Sequence, residues 1–600
     1  LRIRRFILSA IEFRSVFLVG MTLLITACGG GSDGPTDSDG DGVSDLQDAF
    51  PANPSETTDS DGDGIGNNAD AFPNDGDETL DSDGDGVGDN ADAFPNDADE
   101  SVDTDGDGVG DNADNCVDTP NADQADVDGN TLGDACAALP TSYNFKGVYD
   151  TEASGVSYTG QTARQLLISG LVDSLVGLSE RAGESDAINS ELQFFVTGDG
   201  VDDTPHGFTL KGGETVIPGP NFSDVSTGKN LNGKIAGGNG LGGGETSRLI
   251  GDDFFGWEDG LTTSGIPIDL VNLWITRVAS NASDGVGVVI ATVDNPATLI
   301  EAPTVDALGR DYRQLLQKFL IGAVTFSQGT NDYFQTDFAS LIGTREGDSK
   351  NYTAAEHDFD EAFGYYGAAR DNNDYTDDEA AGKGGRDAYS NGYSDSNGDG
   401  QIDLRSEYNF AASQNCAKRD RGTASNTTPT DFSKEIMDAF IAGRKALADG
   451  AETGVLTATG AEALQTAITT ASLTWEQCLA ATVVHYINDV RSDMSNFESG
   501  SFADGGNFTT LAKHWSEMKG FALGLQFSPV SPFRASSESL ASLKSVLDLM
   551  GDGPVLADGS QAGEVGADLA RVEAYRADLL TARGLLQSAY GFDEENVQNW

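Results

Sequence analysis

The sequence predicts a mainly α protein: one helical bundle, or two packed side by side, with long loops, preceded by an irregular stalk of repeats folded around bound ions. Three observations predict it. The phrase D-x-D-G-D-G-hydrophobic begins at Asp37, Asp59, Asp81 and Asp103, a strict period of 22 residues. From Leu139 onward Lys and Arg return, and long segments carry apolar residues at steps of three and four. Segments that alternate as strands are few, with VGVVIAT at 286–292 the main exception.

The charge is unevenly spread. The formal net charge is −63, and residues 33–136 hold 32 Asp and Glu with no Lys or Arg. About half of the excess therefore sits in roughly a sixth of the chain, where a polyanion such as nucleic acid would be repelled. A segment so charged needs a counter-charge from outside the chain.

The first residues have the layout of a secretory signal. Arg2, Arg4, Arg5 and Arg14 make a basic start, followed by the apolar run Val16 to Ile25, which is too short to span a bilayer. Ile25-Thr26-Ala27-Cys28 resembles a bacterial lipobox. That resemblance implies a signal peptide over 1–27, a lipid on Cys28 that anchors the protein to a membrane, and a linker over 28–35. Gly29, where Asp would mark retention, implies the outer membrane, with the protein facing the periplasm or the cell surface. Cys116, Cys136, Cys416 and Cys478 remain, and four cysteines in an exported chain predict two disulfides. The local pairs, Cys116–Cys136 and Cys416–Cys478, are favoured among three connectivities.

Each full repeat over 36–137 supplies carboxylates at loop positions 1, 3 and 5 and a Gly at 6. These are Asp37, Asp39 and Asp41, then Asp59, Asp61 and Asp63, then Asp81, Asp83 and Asp85, then Asp103, Asp105 and Asp107. This is the front half of an EF-hand loop, and alternating oxygen ligands on a tight turn suit Ca²⁺. Position 9 adds Asp45, Asn67, Asp89 and Asp111, and position 12 adds Asp48, Asp70, Asp92 and Asp114. A weaker fifth copy offers Asp126, Asp128, Asn130 and Asp134. Each unit has too few apolar residues for a core, so bound ions must do the folding. The period, the ligand spacing and the unit DNCVDTPNADQADVDGNTLGDAC at 114–136 resemble thrombospondin type-3 repeats. The resemblance implies a calcium-filled spacer that holds the following domain away from a membrane.

Residues 138–600 read as the helical domain. Segments 161–180, 305–328, 431–448, 461–493, 508–525, 535–550 and 564–590 predict helices, while Gly- and Asp-rich stretches at 197–265 and 366–400 predict long loops. DSNGDGQIDL at 395–404 is a near-complete EF-hand loop, with Asp395, Asn397, Asp399, Asp403 and the backbone carbonyl of Gln401 as ligands. Glu407, one residue beyond the usual closing position, is its candidate closing ligand. In AEHDFDEAFGYYG (355–367), a helix places His357 beside Asp360 and Glu361, a set suited to a transition metal or to proton transfer. TVVHYINDV (482–490) repeats the offsets with His485, Asn488 and Asp489, which makes His485 the candidate second imidazole of a joint site with His357. H-E-x-x-H, G-x-S-x-G and the phosphate-cradling P-loop are all absent, so nothing here demands an enzyme.

YNFKGVYDTEASGVSYTGQTARQ, EHDFDEAFGYYGAARD, DSNGDGQIDLRSEYNF and NCAKRDR together resemble a bacterial lipoprotein domain of unknown function, serial 4856, over about 143–595. More distantly, the helical character and the His-acid motif are similar to imelysin-like proteins, exported helical proteins linked to iron uptake. Their motif is G-x-H-x-x-E; here Ala355 stands for the Gly and Asp360 for the Glu, with Glu361 adjacent. The resemblance implies capture of a metal, iron first, by the helical domain. Two rival expectations stand beside it: a calcium-dependent adhesion or scaffold protein, and a hydrolase centred on His357.

Overall fold

The ligand spacing of the repeats translates directly into backbone. Asp37 accepts hydrogen bonds from Gly40 N and Gly42 N at 2.8 and 3.1 Å. The two glycines hold φ at +88° and +100°, the left-handed region in which a side chain is strained. The same bonds recur at Asp59, Asp81 and Asp103. This computed structural model describes residues 35–124, 133, 136, 139–236, 254–261, 266–285, 287–564 and 566–600. Residues 1–34, which include Cys28, lie outside the described residues, as do Asp126, Asp128, Asn130 and Asp134 of the fifth repeat. The chain divides into two compact units, Leu1–Gln124 and Ala125–Trp600.

Among the described residues of the first unit there is no regular helix or strand. Successive repeats are joined by a buried Glu that the sequence reading did not single out. Glu56, Glu78 and Glu100 accept from Asn68 N, Asn90 N and Asn112 N of the next repeat at 2.9–3.0 Å. The same asparagines donate their side-chain amides back to Ser55 O, Asp77 O and Asp99 O. Each Glu carboxylate lies where a side chain would start on the following Gly66, Gly88 or Gly110: a Cβ there would meet its Oε2 at 2.1–2.2 Å. Gly at that position is a packing requirement.

The second unit is mainly helical. Its first helices are α1 (Thr159–Asp173), α2 (Ser185–Thr197), α3 (Phe222–Val225) and α4 (Pro267–Asp284). Then come α5 (Tyr312–Leu320), a π-helical stretch at Ile321–Phe326, α6 (Ser327–Asn331), α7 (Phe338–Leu341), α8 (Ala354–Tyr366) and α9 (Asp377–Ala380). The last are α10 (Ala411–Thr423), α11 (Phe432–Thr453), α12 (Ala458–Met494), α13 (Gly505–Gly524), α14 (Ser537–Met550), α15 (Ala570–Tyr590) and α16 (Glu594–Asn599). The seven amphipathic segments all contain helix. α2, α3, α4, α7, α9, α10 and α16 are additional, with the short α3 and α9 inside stretches expected to be loops; α4 has the sequence marks of a start, Pro267 at its first position and Asp269 in its first turn. Among the described residues, strands form two pairs. Val288–Ile290 runs antiparallel to Thr298–Ile300, and Val216–Ile217 runs parallel to Ile402–Asp403.

The long helices α11, α12 and α13 pack in sequence, and α5 lies against α13. Their buried side chains form one continuous core that includes Trp274, Trp475 and Trp515, with two small satellite clusters. The helices thus share one connected core. At the crossing of the π-helical stretch with α13, a Cβ on Gly322 would stand 2.7 Å from Gly524 Cα, so the backbones approach as closely as glycine permits. The Cys416–Cys478 disulfide ties α10 to α12, with Cα atoms 5.3 Å apart. Closing a loop over 62 residues of separation restricts the unfolded chain by roughly 4 kcal/mol. Cys116 and Cys136 are disulfide-bonded as well. No helix among the described residues is long and apolar enough to cross a membrane.

Candidate functional site

In every full repeat the position 1, 3 and 5 carboxylates converge, with one oxygen from each within 4.8 Å of the others. Asp39 Oδ2, Asp41 Oδ2, Asp61 Oδ2, Asp63 Oδ2, Asp83 Oδ2 and Asp105 Oδ2 are buried with no hydrogen-bond partner. At position 12, Asp70 turns inward in the same way. Its Oδ1 accepts from Phe72 N at 2.8 Å, while its buried Oδ2 has no partner. Asp48, Asp92 and Asp114 accept the equivalent amide bond. Burial pushes the Asp105 carboxyl up, and repulsion from Asp107, Asp114 and Asp103 adds to it. Carboxylates crowded this way, with spare oxygens and no basic residue in the segment, fit a hard divalent cation.

Position 9 plays a different part from the one its spacing predicts. Asp45, Asp89 and Asp111 each bind the backbone N–H and the hydroxyl of the residue at position 2 of their own loop, Ser38, Ser82 or Thr104, at 2.6–2.8 Å. Asn67 bonds Ser60 in the same manner. Both side-chain atoms are thus engaged within the loop, as are both oxygens of position 1, which accept two backbone amides; unpaired oxygens stand at positions 3 and 5 and on Asp70 at position 12.

In the second unit the 395–407 loop repeats the turn. Asp395 accepts from Gly398 N and Gly400 N at 2.7 and 2.8 Å, and Gln401 N donates to Asp399. Its back half is otherwise engaged. Asp403 forms a bidentate pair with Arg405 at 2.7–2.9 Å. Glu407 is buried, and it reaches the loop to accept from Ser396 N, Asn397 N and Asp403 N. Asp403 is thus ion-paired with Arg405, and Glu407 also accepts from the Ser396 hydroxyl and ties the loop's two ends together. Asp395, Asn397 and Asp399 remain placed for an ion.

The His357 motif divides between two environments. Thr353 caps α8 in a reciprocal box with Glu356. His357 Nδ1 bonds Ser157 O at 3.0 Å, its Nε2 stands 3.8 Å from Glu361, and its ring stacks on Tyr352. Asp360, fully buried, takes Arg444 Nε and Tyr143 OH at 2.9 Å and Ser157 N at 3.1 Å. Arg444 also binds Glu356 at 2.8 Å. The three-residue metal set is thus corrected: Asp360 is drawn from His357 and Glu361 by a cation on α11 that local spacing does not reveal.

His485 shares no partner with His357, and the joint site expected from sequence is not formed. The imidazole near His485 is His514 on α13; both reach Asp489, at 3.3 and 3.8 Å, and His514 Nδ1 bonds Asp493 at 2.8 Å. Burial, then Arg419 and His514, push His485 down to about 3.

Glu361 instead belongs to a polar cluster with Lys234, Asp332, Arg164, Tyr333 and Tyr365. Lys234 Nζ lies 3.2 Å from Tyr333 OH and 3.5 Å from Asp332. Burial, with Tyr365 and Glu361 nearby, pushes the Tyr333 phenol up, and Arg164 lies beside the Tyr365 hydroxyl. Gln161, one turn before Arg164, is fully buried with neither amide atom hydrogen-bonded. The same holds for Gln328, one turn before Asp332. Sequence reasoning missed both, since a glutamine on an apolar helix face gives no signal of its own.

Against known families, residues 80–124 match the thrombospondin type 3 repeat and residues 263–453 match a domain of unknown function (DUF4856). No curated protein and no solved structure matches the chain. The chain therefore carries calcium-binding thrombospondin type 3 repeats with Asp triads, together with a helical domain of that family.

Proposed function

We propose that the chain is an exported protein, lipid-anchored at Cys28 to the outer membrane, whose calcium-folded repeats present a helical domain that captures a small polar ligand. Ile25-Thr26-Ala27-Cys28 supports the anchor, and disulfides support an oxidising compartment. The observation that carries ligand capture is the pair Gln161 and Gln328, whose four amide atoms are buried and unpaired. Leaving such groups unmade costs about 1–3 kcal/mol each, and native proteins rarely do so without a bound partner. Arg164, one turn after Gln161, and Asp332, one turn after Gln328, interact with Lys234, as does Glu361, so we take the ligand to carry both donors and acceptors, as a zwitterion or a polyhydroxylated molecule does. Iron would use His357 and Glu361 alone, whereas the amides favour an organic ligand.

The test is a thermal-shift screen of the full chain in Ca²⁺ against amino acids, short peptides and sugars. One class should stabilise the protein, and Gln161→Leu should remove the effect. Stabilisation that persists in Gln161→Leu and Gln328→Leu would overturn the role of the two glutamines, and none from any class would favour the scaffold reading. Cys28→Ser should move the protein from the membrane to the soluble exported fraction.

A further inference from the structure

The helical domain holds a second polar cluster, distinct from the one around Glu361 and Lys234. On α12, His485, Asp489 and Asp493 follow one another at four-residue steps and so share a stripe. His514 comes from α13, packed alongside. Two imidazole nitrogens meet one carboxylate oxygen: Asp489 Oδ2 lies 3.3 Å from His485 Nε2 and 3.8 Å from His514 Nε2. The other nitrogen of His514 is fixed by Asp493 Oδ2 at 2.8 Å.

We propose that His485, Asp489 and His514 form a binding site for a divalent first-row transition metal such as Zn²⁺, with Asp493 orienting His514 from behind. The donor set is two imidazoles and a carboxylate, which suits such metals and not Ca²⁺. A carboxylate on the far nitrogen of a ligating His is the usual outer support of these sites, because it fixes the ring and leaves Nε2 for the metal. With metal–ligand bonds near 2.0–2.1 Å, neighbouring tetrahedral donors stand about 3.3 Å apart. The His485–Asp489 spacing already matches, and His514 is about half an ångström long. The three donors do not all lie within 4.8 Å of one another, so binding draws the two imidazoles together by side-chain rotation. All four side chains are partly exposed, at 13–34 %, which leaves room for that rotation and a path for the ion. Arg419 stands close enough to oppose a cation, and Asp489, Asp493 and Glu517 offset it.

Zn²⁺ titration of the full chain, with Ca²⁺ in large excess to fill the repeats, tests this by calorimetry. The expected result is one tight Zn²⁺ site that Ca²⁺ does not displace. His485→Ala and His514→Ala should each weaken it at least about 100-fold, and Asp493→Asn by about 10–100-fold. His357→Ala should leave it unchanged. X-ray absorption of the Zn²⁺-loaded wild type should show two imidazole ligands, a readout that needs no variant to fold. The proposal is overturned if no Ca²⁺-resistant site exists, if the double His variant binds like wild type, or if the absorption spectrum shows only oxygen ligands.

Discussion

Replacing Arg444 by Met isolates the role of Asp360. Arg444 is fully buried, and its guanidinium binds Asp360 and Glu356 at 2.8–2.9 Å and Gly155 O at 3.1 Å, over the Phe145 ring. Met fills much of the same volume but leaves two buried carboxylates facing each other without a cation. Breaking a buried pair from one side costs about 3–5 kcal/mol, which for a domain of this size lowers the thermal midpoint by roughly 3–5 °C. The loss should depend on pH. Burial already raises the Asp360 carboxyl against the pull of Arg444 and Tyr143, and without Arg444 it rises further. A raised carboxyl contributes most below its unfolded value, near 3.9, and loses that contribution as pH climbs through its folded value. The deficit of Arg444→Met should therefore shrink on going from pH 7.5 to pH 5. Adding Glu356→Gln and Asp360→Asn should restore much of the midpoint. Scanning calorimetry of the full chain in fixed Ca²⁺ reads all three. A deficit under about 2 °C at pH 7.5, or one that grows on acidification, would refute the reasoning.

Chelation by EGTA should open the repeats to proteolysis and amide exchange within 35–124 while far-ultraviolet helicity is retained; equal protection with and without Ca²⁺ would contradict ion-driven folding. Asp377, Asp420 and Asp431 converge within 4.8 Å. Burial and then Asp420, Asp431 and Asp378 push Asp377 up to about 7, and burial pushes Asp420 up to about 6. Raised acids stabilise below about 4 and lose that as pH passes 6–7, so the helical midpoint should fall between pH 5 and 8. Asp377→Asn should flatten this profile and raise the pH 8 stability by about 1–2 kcal/mol, a figure reduced for its partial exposure. A profile unchanged in the variant would remove the cluster as its cause.

The parts legible in the sequence were those set by short spacing. Ligands at positions 1, 3 and 5 need only a tight turn, so reading Asp37, Asp39 and Asp41 along the chain is enough to place them. The i,i+4 pairs His485–Asp489 and His357–Glu361 lie where helix geometry puts them. What failed depended on distant partners. Asp360 answers to Arg444, 84 residues on, and the second imidazole at Asp489 comes from another helix. α10 carries too few apolar residues to declare itself. It is held by the Cys416 disulfide and by Asp420, whose carboxylate accepts from Phe432 N and Ser433 N at the start of α11. Asp45 and Asp48 look alike in sequence, yet one closes its loop on Ser38 and the other caps the turn at Phe50 N. A recurrent Glu at 56, 78 and 100, in step with the repeat, was a usable signal that ligand spacing obscured.

The negative charge is managed in two ways, and the difference decides what calcium can control. In 33–136 no Lys or Arg exists, so the spare oxygens of Asp39, Asp61 and Asp83 depend on a cation from solution. In the second unit several buried acids have cations from the chain itself: Arg444 holds Asp360 and Glu356, Arg310 holds Asp306, and Arg386 holds Glu379. Others do not: Asp420 rests on the backbone amides of Phe432 and Ser433, beside Asp377 and Asp431. Removal of calcium should therefore act first on the repeats, whose carboxylates have no cation within their own segment.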